Sequence, residues 1–196
     1  IQELDRIFDF IEAEQINRVC FYHLVYSGRG EAMVDQDVSP EDSRRAMDTI
    51  IRRTKDFEAR GLEKEILTVD NHCDGVYMYL KALAGGETET AAQIKKYLAM
   101  NGGNRSGIAF GEVDPQGYVH PDQFTQHHTF GNVRERAFGD IWQDVTNPIM
   151  AGLKDRKPLL TGRCAKCKWL SACNGNFRTR AEAVTGDFWA SDPACY

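Results

Sequence analysis

Four of the six cysteines fall close together near the end of the chain, and this crowding constrains the fold more than any other feature. Cys164 and Cys167 place two thiol groups across one turn, Cys173 adds a third, and Cys195 returns after a long excursion to complete a set of four. These sulfurs read as the ligands of one metal centre, and disulfides are the weaker explanation because nothing at the N-terminus reads as a secretory signal. Thiolates suit zinc and iron–sulfur clusters alike. One short pair followed by two single cysteines fits a [4Fe–4S] cluster better than the two short pairs of a zinc ribbon. A four-thiolate zinc site bracing a protein-interaction module stays open as the alternative.

The first half of the chain has a different grammar. Leu4, Ile7, Phe8, Phe10 and Ile11 recur at helical spacing beside acidic residues, so an amphipathic helix is expected from residue 1. The run from Arg18 to Tyr26 is β-branched, aromatic and apolar on both faces, as a buried parallel strand would be. Ser39 and Pro40 then offer a cap and a first helical residue for a helix reaching about Arg60, which Gly61 ends. A second strand is expected over Glu65 to Asp70, a polar loop over Asn71 to Gly75, and helices over Val76 to Leu83 and Thr88 to Met100. This βαβα order predicts an α/β fold with parallel strands, whose ligands gather at the carboxyl ends of the strands. Two such units are too few to close a barrel, so residues 1–102 read as the C-terminal portion of a partial (β/α) barrel.

After Gly102 and Gly103 the pattern changes, and a second domain is expected over residues 103–196. Ile108 to Val113, the turn Asp114-Pro-Gln-Gly117 and Tyr118 to His120 predict a β-hairpin. A short helix over Phe138 to Thr146 and an irregular cysteine-rich tail complete it.

Charge narrows the function classes. With 24 Lys and Arg against 29 Asp and Glu the net charge is −5, which argues against nucleic-acid binding by phosphate neutralisation. No apolar run is long enough to span a bilayer, and the chain reads as cytoplasmic. The basic stretch from Lys154 to Arg180 reads first as a solvated face. In a second reading Arg163, Lys166, Lys168 and Arg178 offset the charge of a thiolate-ligated centre, with Trp169 and Phe177 as its apolar shield.

The spacing Cys164-x2-Cys167-x5-Cys173 with a later Cys195 resembles the SPASM domain found at the C-terminus of many radical S-adenosylmethionine (SAM) enzymes. Phe177 stands where the fuller two-cluster pattern has a cysteine, and His120 stands in the hairpin region where it has another. The resemblance therefore implies one auxiliary [4Fe–4S] cluster. The phrases Phe21-Tyr-His-Leu-Val-Tyr-Ser-Gly-Arg-Gly30, Thr68-Val-Asp-Asn-His72, Gly111 to Phe124 and Asp187 to Tyr196 are similar to the NirJ family, radical SAM enzymes of haem d1 biosynthesis. That resemblance implies a sirohaem-derived substrate, didecarboxysirohaem, whose propionate side chains are removed. It also implies SAM, a second [4Fe–4S] cluster and a reducing partner such as flavodoxin or ferredoxin. Related enzymes of the haem pathway instead decarboxylate similar macrocycles, and other SPASM enzymes modify peptides. The Cys-x3-Cys-x2-Cys motif of the SAM-binding cluster is not found in these 196 residues, so the SAM-cleaving half is expected to lie outside them and this part alone to be inactive.

Within that frame the strand ends supply candidate substrate residues. Arg29 suits a bidentate contact to a macrocycle carboxylate, or else a loop ion pair. Asp70, Asn71 and His72 cluster after the second strand, with His72 a candidate proton carrier and Asp70 and Asn71 equally readable as turn formers. His120 and Gln123 follow the hairpin and either face the substrate or fasten the hairpin. His23 and Cys20 read as strand interior. Cys73 draws a weak functional flag. The adjacent His127 and His128 are expected to point apart on the surface.

Overall fold

Ser39 and Pro40 start a helix as their chemistry demands: the Ser39 hydroxyl accepts the Asp42 amide at 3.1 Å, and Pro40 opens the 20-residue α2 (Pro40–Ala59). In this computed structural model, which describes residues 1–196, α2 follows α1 (Leu4–Ala13) and β1 (Arg18–Tyr22). After it come β2 (Glu65–Val69), α3 (Cys73–Ala84) and α4 (Thr88–Asn101). β1 and β2 pair in parallel, from Arg18 opposite Glu65 to Tyr22 opposite Val69. The mixed α/β character read from the sequence is therefore present.

The expected strand to Tyr26 stops early for a local reason. The His23 amide donates to the Val69 carbonyl at 3.0 Å, and then Asp70 takes a φ of 68°, which turns its chain away and ends the parallel ladder. The polar loop after β2 is also shorter than expected. The Asn71 side-chain oxygen accepts the Cys73 amide at 3.3 Å, so Cys73 to Gly75 form the first turn of α3.

The chain divides into two compact units. Unit 1 comprises Ile1–Leu24, Asp35–Met100 and Ala194–Tyr196. Its core is Phe8, Ile11, Met47, Ile50 and Phe57, with Val19, Phe21, Ile66, Tyr77 and Tyr196 packed around them. Phe8 stacks on Phe21 at 5.3 Å between ring centroids. Only Phe8 and Ile11 of the five-residue stripe expected on α1 are buried, while Ile7 and Phe10 are exposed.

Unit 2 comprises Val25–Val34 and Asn101–Pro193. Residues Gly28–Gln36 wind as a 3₁₀ helix. β3 (Glu112–Val113) and β4 (Val119–His120) pair antiparallel across a turn in which Tyr118 donates its amide to Asp114 Oδ1 at 2.8 Å and Gly117 adopts a φ of 94°. β3 is short because the Ile108 and Ala109 amides both bond the Arg105 carbonyl at 2.9 Å and are lost to the ladder.

The short helix expected over Phe138 to Thr146 is present as α5 (Phe138–Gln143). The tail after it, expected to be irregular, is instead a series of short helices: α6 (Pro148–Lys154), α7 (Gly162–Ala165), α8 (Leu170–Cys173) and α9 (Arg178–Thr185). α6 repeats the device of α2: Asn147 accepts the Ile149 and Met150 amides and Pro148 follows it. No helix is long and apolar enough to cross a membrane.

Candidate metal centre

Three of the four clustered cysteines belong to unit 2 and are set by consecutive tight turns. Cys164 lies in α7, and its amide donates to Ser191 Oγ at 3.1 Å. The Cys167 amide returns to the Cys164 carbonyl at 3.1 Å, closing the turn between the two sulfurs. Trp169 then donates its amide to Cys167 Sγ at 3.4 Å, a contact that favours a sulfur bearing negative charge. Cys173 ends α8 and is followed by Asn174, Gly175 and Asn176, all left-handed with φ of 50°, 80° and 59°. These three residues reverse the chain so that α9 starts immediately behind Cys173.

Gly103 is required by this arrangement. A Cβ there would sit 2.1 Å from the Cys173 carbonyl carbon, and Gly103 itself has a φ of 76°. The close approach lets the Asn104 amide bond the Cys173 carbonyl at 3.0 Å while Asn174 Nδ2 donates back to the Asn104 carbonyl at 2.8 Å.

Cations are buried around these cysteines. Arg156, Arg178 and Arg180 are 1 %, 3 % and 0 % exposed, whereas Lys157, Arg163, Lys166 and Lys168 are exposed. The basic stretch expected to be a solvated face is thus split: Arg156, Arg178 and Arg180 go inside, while Arg163 and the lysines at 157, 166 and 168 stay in solvent. Arg180 has a carboxylate, Asp192, at 2.9 Å, and both side chains are fully buried. Arg156 and Arg178 instead bond neutral carbonyl and amide oxygens: Asn104, Ser106 and Asn174 for Arg156, and Gly175, Phe188 and Ala190 for Arg178. The Nε of each has no partner.

Burial pushes the Arg156 pKa down to about 10, aided by repulsion from Arg178 and opposed by Asp122 and Cys173. Arg178 is lowered by burial in the same way, opposed by Asp192, Cys164 and Cys173. A guanidinium holds its proton throughout the physiological range, so both are buried as cations. A buried cation costs several kcal/mol even after relaxation, unless an anion offsets it. A thiolate-ligated iron–sulfur cluster is such an anion, so the donor set and its surroundings fit one. Phe177 is buried, with its ring centroid 4.8 Å from the Arg180 guanidinium.

Cys195 is placed in unit 1, beside Cys73. The Cys73 thiol is pushed far up, first by its hydrogen bond with Cys195 and then by burial. Asn71 organises this corner. Its Nδ2 donates to the Ala194 carbonyl at 3.0 Å and its Oδ1 accepts from Cys73 Sγ at 3.0 Å. Asp74, which the sequence did not single out, is buried between His23 Nε2 at 2.9 Å and the Tyr196 hydroxyl, which donates at 2.6 Å.

The candidate substrate residues separate by burial. Asn71 is buried and employed in holding residue 194, whereas Asp70 and His72 are half-buried at the end of β2. His120 is also buried, with Nδ1 at 3.0 Å from the His128 carbonyl and Nε2 at 3.3 Å from Asp114. That geometry fastens the hairpin. Arg29 and Gln123 are exposed in unit 2. Their segments are joined by the Ser27 hydroxyl, which donates to the Phe124 carbonyl at 2.9 Å.

Residues 110–168 match the SPASM model, described as an iron–sulfur cluster-binding domain. The match includes the hairpin, Cys164 and Cys167. The chain is 55% identical over 199 residues, covering all of it, to the Fe-coproporphyrin III synthase of Methanosarcina barkeri. It is 38% identical over 99% of its length to the pre-heme d1 synthase of Dinoroseobacter shibae, and 27% identical over its whole length to an AdoMet-dependent heme synthase, again from Methanosarcina barkeri. It spans about half the length of these relatives, 50%, 48% and 52% respectively. The chain is thus a homologue of the pre-heme d1 synthase with a SPASM segment, as its phrases suggest, and its identity to the Fe-coproporphyrin III synthase is higher.

Proposed function

We propose that this chain is the cluster-bearing part of a radical SAM enzyme of haem synthesis that trims carboxylate side chains from an iron-containing, sirohaem-derived tetrapyrrole. Cys164, Cys167 and Cys173 would hold an auxiliary [4Fe–4S] cluster, with Cys195 as the fourth ligand suggested by the spacing. The observation that carries the cluster is the pair of buried guanidinium groups, Arg156 and Arg178, that have no carboxylate partner beside the cysteines. When bound, the cluster supplies an electron-transfer centre.

The chain's own residues tune and protect that centre. Arg156 and Arg178 offset its charge, the Trp169 amide bonds a ligand sulfur, and Phe177 excludes water. Buried cations and hydrogen bonds to sulfur both favour the reduced state. Exposed Arg29 and Gln123 are suited to meet the carboxylates of a macrocycle, and Asp70 and His72 lie at the strand end where barrel chemistry gathers. SAM, its own cluster and a flavodoxin- or ferredoxin-like reductant belong to the longer protein.

The higher identity to a relative named Fe-coproporphyrin III synthase supports a haem-pathway product, for which we take decarboxylation of the macrocycle as the first reading. Removal of whole propionates, as the haem d1 resemblance implies, is the second reading, supported by the 38% relative.

Two measurements test the proposal. Anaerobic reconstitution of the chain should yield about four irons and four sulfides with broad charge-transfer absorbance, and these should be lost together in Cys164→Ser and Cys173→Ser; one zinc without sulfide would eliminate the cluster. The longer protein, given SAM, reductant and a sirohaem-derived macrocycle, should release 5′-deoxyadenosine and a product lighter by one CO₂ per side chain. Loss of complete propionates would select the second reading. Modification of a leader peptide with no change to the macrocycle would overturn both.

A further inference from the structure

His127 and His128, adjacent in sequence and expected to point apart, converge on one carboxylate. His127 Nε2 lies 2.8 Å from Glu182 Oε2, and His128 Nε2 lies 3.0 and 3.2 Å from the two Glu182 oxygens. Their ring centroids are 4.3 Å apart. All three ligand atoms lie within 4.8 Å of one another.

The backbone explains the convergence. The His128 amide closes a turn onto the Thr125 carbonyl at 3.0 Å, and the His128 carbonyl is held by buried His120 at 3.0 Å. The His128 ring then stands edge-on to Phe188 at 5.1 Å. Glu182 comes from α9, the helix that starts behind Cys173, and its ion-pair partners are these two imidazoles. One ring is thus fixed by packing and one carboxylate by a helix, while His127 stays 56% exposed and gives access from solvent.

We propose that His127, His128 and Glu182 form a binding site for a divalent transition metal, with zinc the simplest occupant. Two imidazoles and one carboxylate are a donor set that binds zinc or iron(II) and leaves open positions for water or a ligand oxygen. Bonds of about 2.1 Å place neighbouring donors about 3.0 Å apart at right angles and about 3.4 Å apart in a tetrahedron. The observed nitrogen-to-oxygen separations, 2.8–3.2 Å, are close to that range. A metal would enter by replacing the contacts between the two rings and the carboxylate. The site uses no cysteine and is independent of the cluster proposal.

The test uses the cluster-loaded chain, so that its thiolates are occupied. Equilibrium dialysis against zinc with iron counted in parallel should show one zinc per chain at unchanged iron. Zinc affinity should fall by at least about 10–100-fold in His128→Ala and Glu182→Gln. X-ray absorption of zinc in the unaltered protein, which depends on no variant folding, should show a nitrogen and oxygen shell with imidazole scattering. Zinc uptake accompanied by iron loss, a sulfur shell, equal binding by the variants, or no binding would each overturn the site.

Discussion

The two units solve the problem of charge in opposite ways. Unit 1 buries an apolar cluster around Phe8 and Phe57 and, Asp74 beside His23 apart, keeps its carboxylates at the surface, where Arg52 meets Asp5 at 2.7 Å and Arg60 meets Glu12 at 2.6 Å. Unit 2 buries Arg156, Arg178, Arg180 and Asp192 beside its cysteines. The first arrangement is stable by removing hydrocarbon from water. In the proposed reading the second is balanced in part by Asp122 and Asp192 and in part by an anionic cluster, since low-dielectric surroundings penalise unbalanced charge. On that proposal one chain holds a part that folds on its core and a part whose core is completed by what it binds.

The contrast can be broken most sharply by taking the cluster away. Chelation under anaerobic conditions should destabilise unit 2 by on the order of 5 kcal/mol or more, since two buried cations lose their counter-charge. Hydrogen exchange should then accelerate across residues 101–193 and stay slow in α1, α2 and β2; uniform acceleration would show that the two cores are not separable in this way. Next in size, Asp192→Asn leaves Arg180 buried and unpaired and should cost about 3–5 kcal/mol, read as a lowered denaturation midpoint. Asp5→Asn, breaking an exposed pair, should leave the midpoint nearly unchanged.

Phe8→Ala tests the other side of the comparison. Deleting a fully buried ring from unit 1 should cost about 3–4 kcal/mol without altering iron content, whereas iron loss would tie the apolar core to the centre. The smallest effect concerns acid. The Thr146 hydroxyl, then the Thr146 amide and the Arg136 guanidinium, hold the half-buried Asp144 carboxyl down at about 2 from its usual 3.8. A lowered carboxylate contributes stability that is complete above the unfolded value and fades as pH falls through the folded one. Asp144→Asn should therefore flatten the acid limb of the stability curve between about pH 4 and pH 2, a slope measurable by thermal melts.

Legibility in the sequence follows the same division. In unit 1 the signals are local: Ser39 and Pro40 announce α2, and the β-branched runs announce β1 and β2. The errors there, a strand drawn to Tyr26 and a loop drawn through Cys73, arise from one backbone conformation at Asp70 and one side-chain bond from Asn71. In unit 2 the cysteine spacing and Arg178's place near the charge were readable. Arg156 was not, because nothing in a run of basic residues says which will be buried by Asn104 and Ser106, some 50 residues upstream. The convergence of His127 and His128 was hidden for the same reason, since Glu182 lies 54 residues beyond His128. Asn147 and Pro148, by contrast, repeated the signature of Ser39 and Pro40 and marked a helix that the reading passed over.

The fully buried pair of Arg180 and Asp192 carries a consequence for how this protein can vary through descent. Losing either partner strands the other, while exchanging both for well-packed apolar residues can be neutral where nothing else depends on them. Here something does, because Asp192 Oδ2 also accepts the Phe177 amide at 3.0 Å. A lineage that abandoned the pair would have to find a new acceptor for that amide at the same time. Positions 180 and 192 should therefore be inherited as a linked unit, substituted together or left alone.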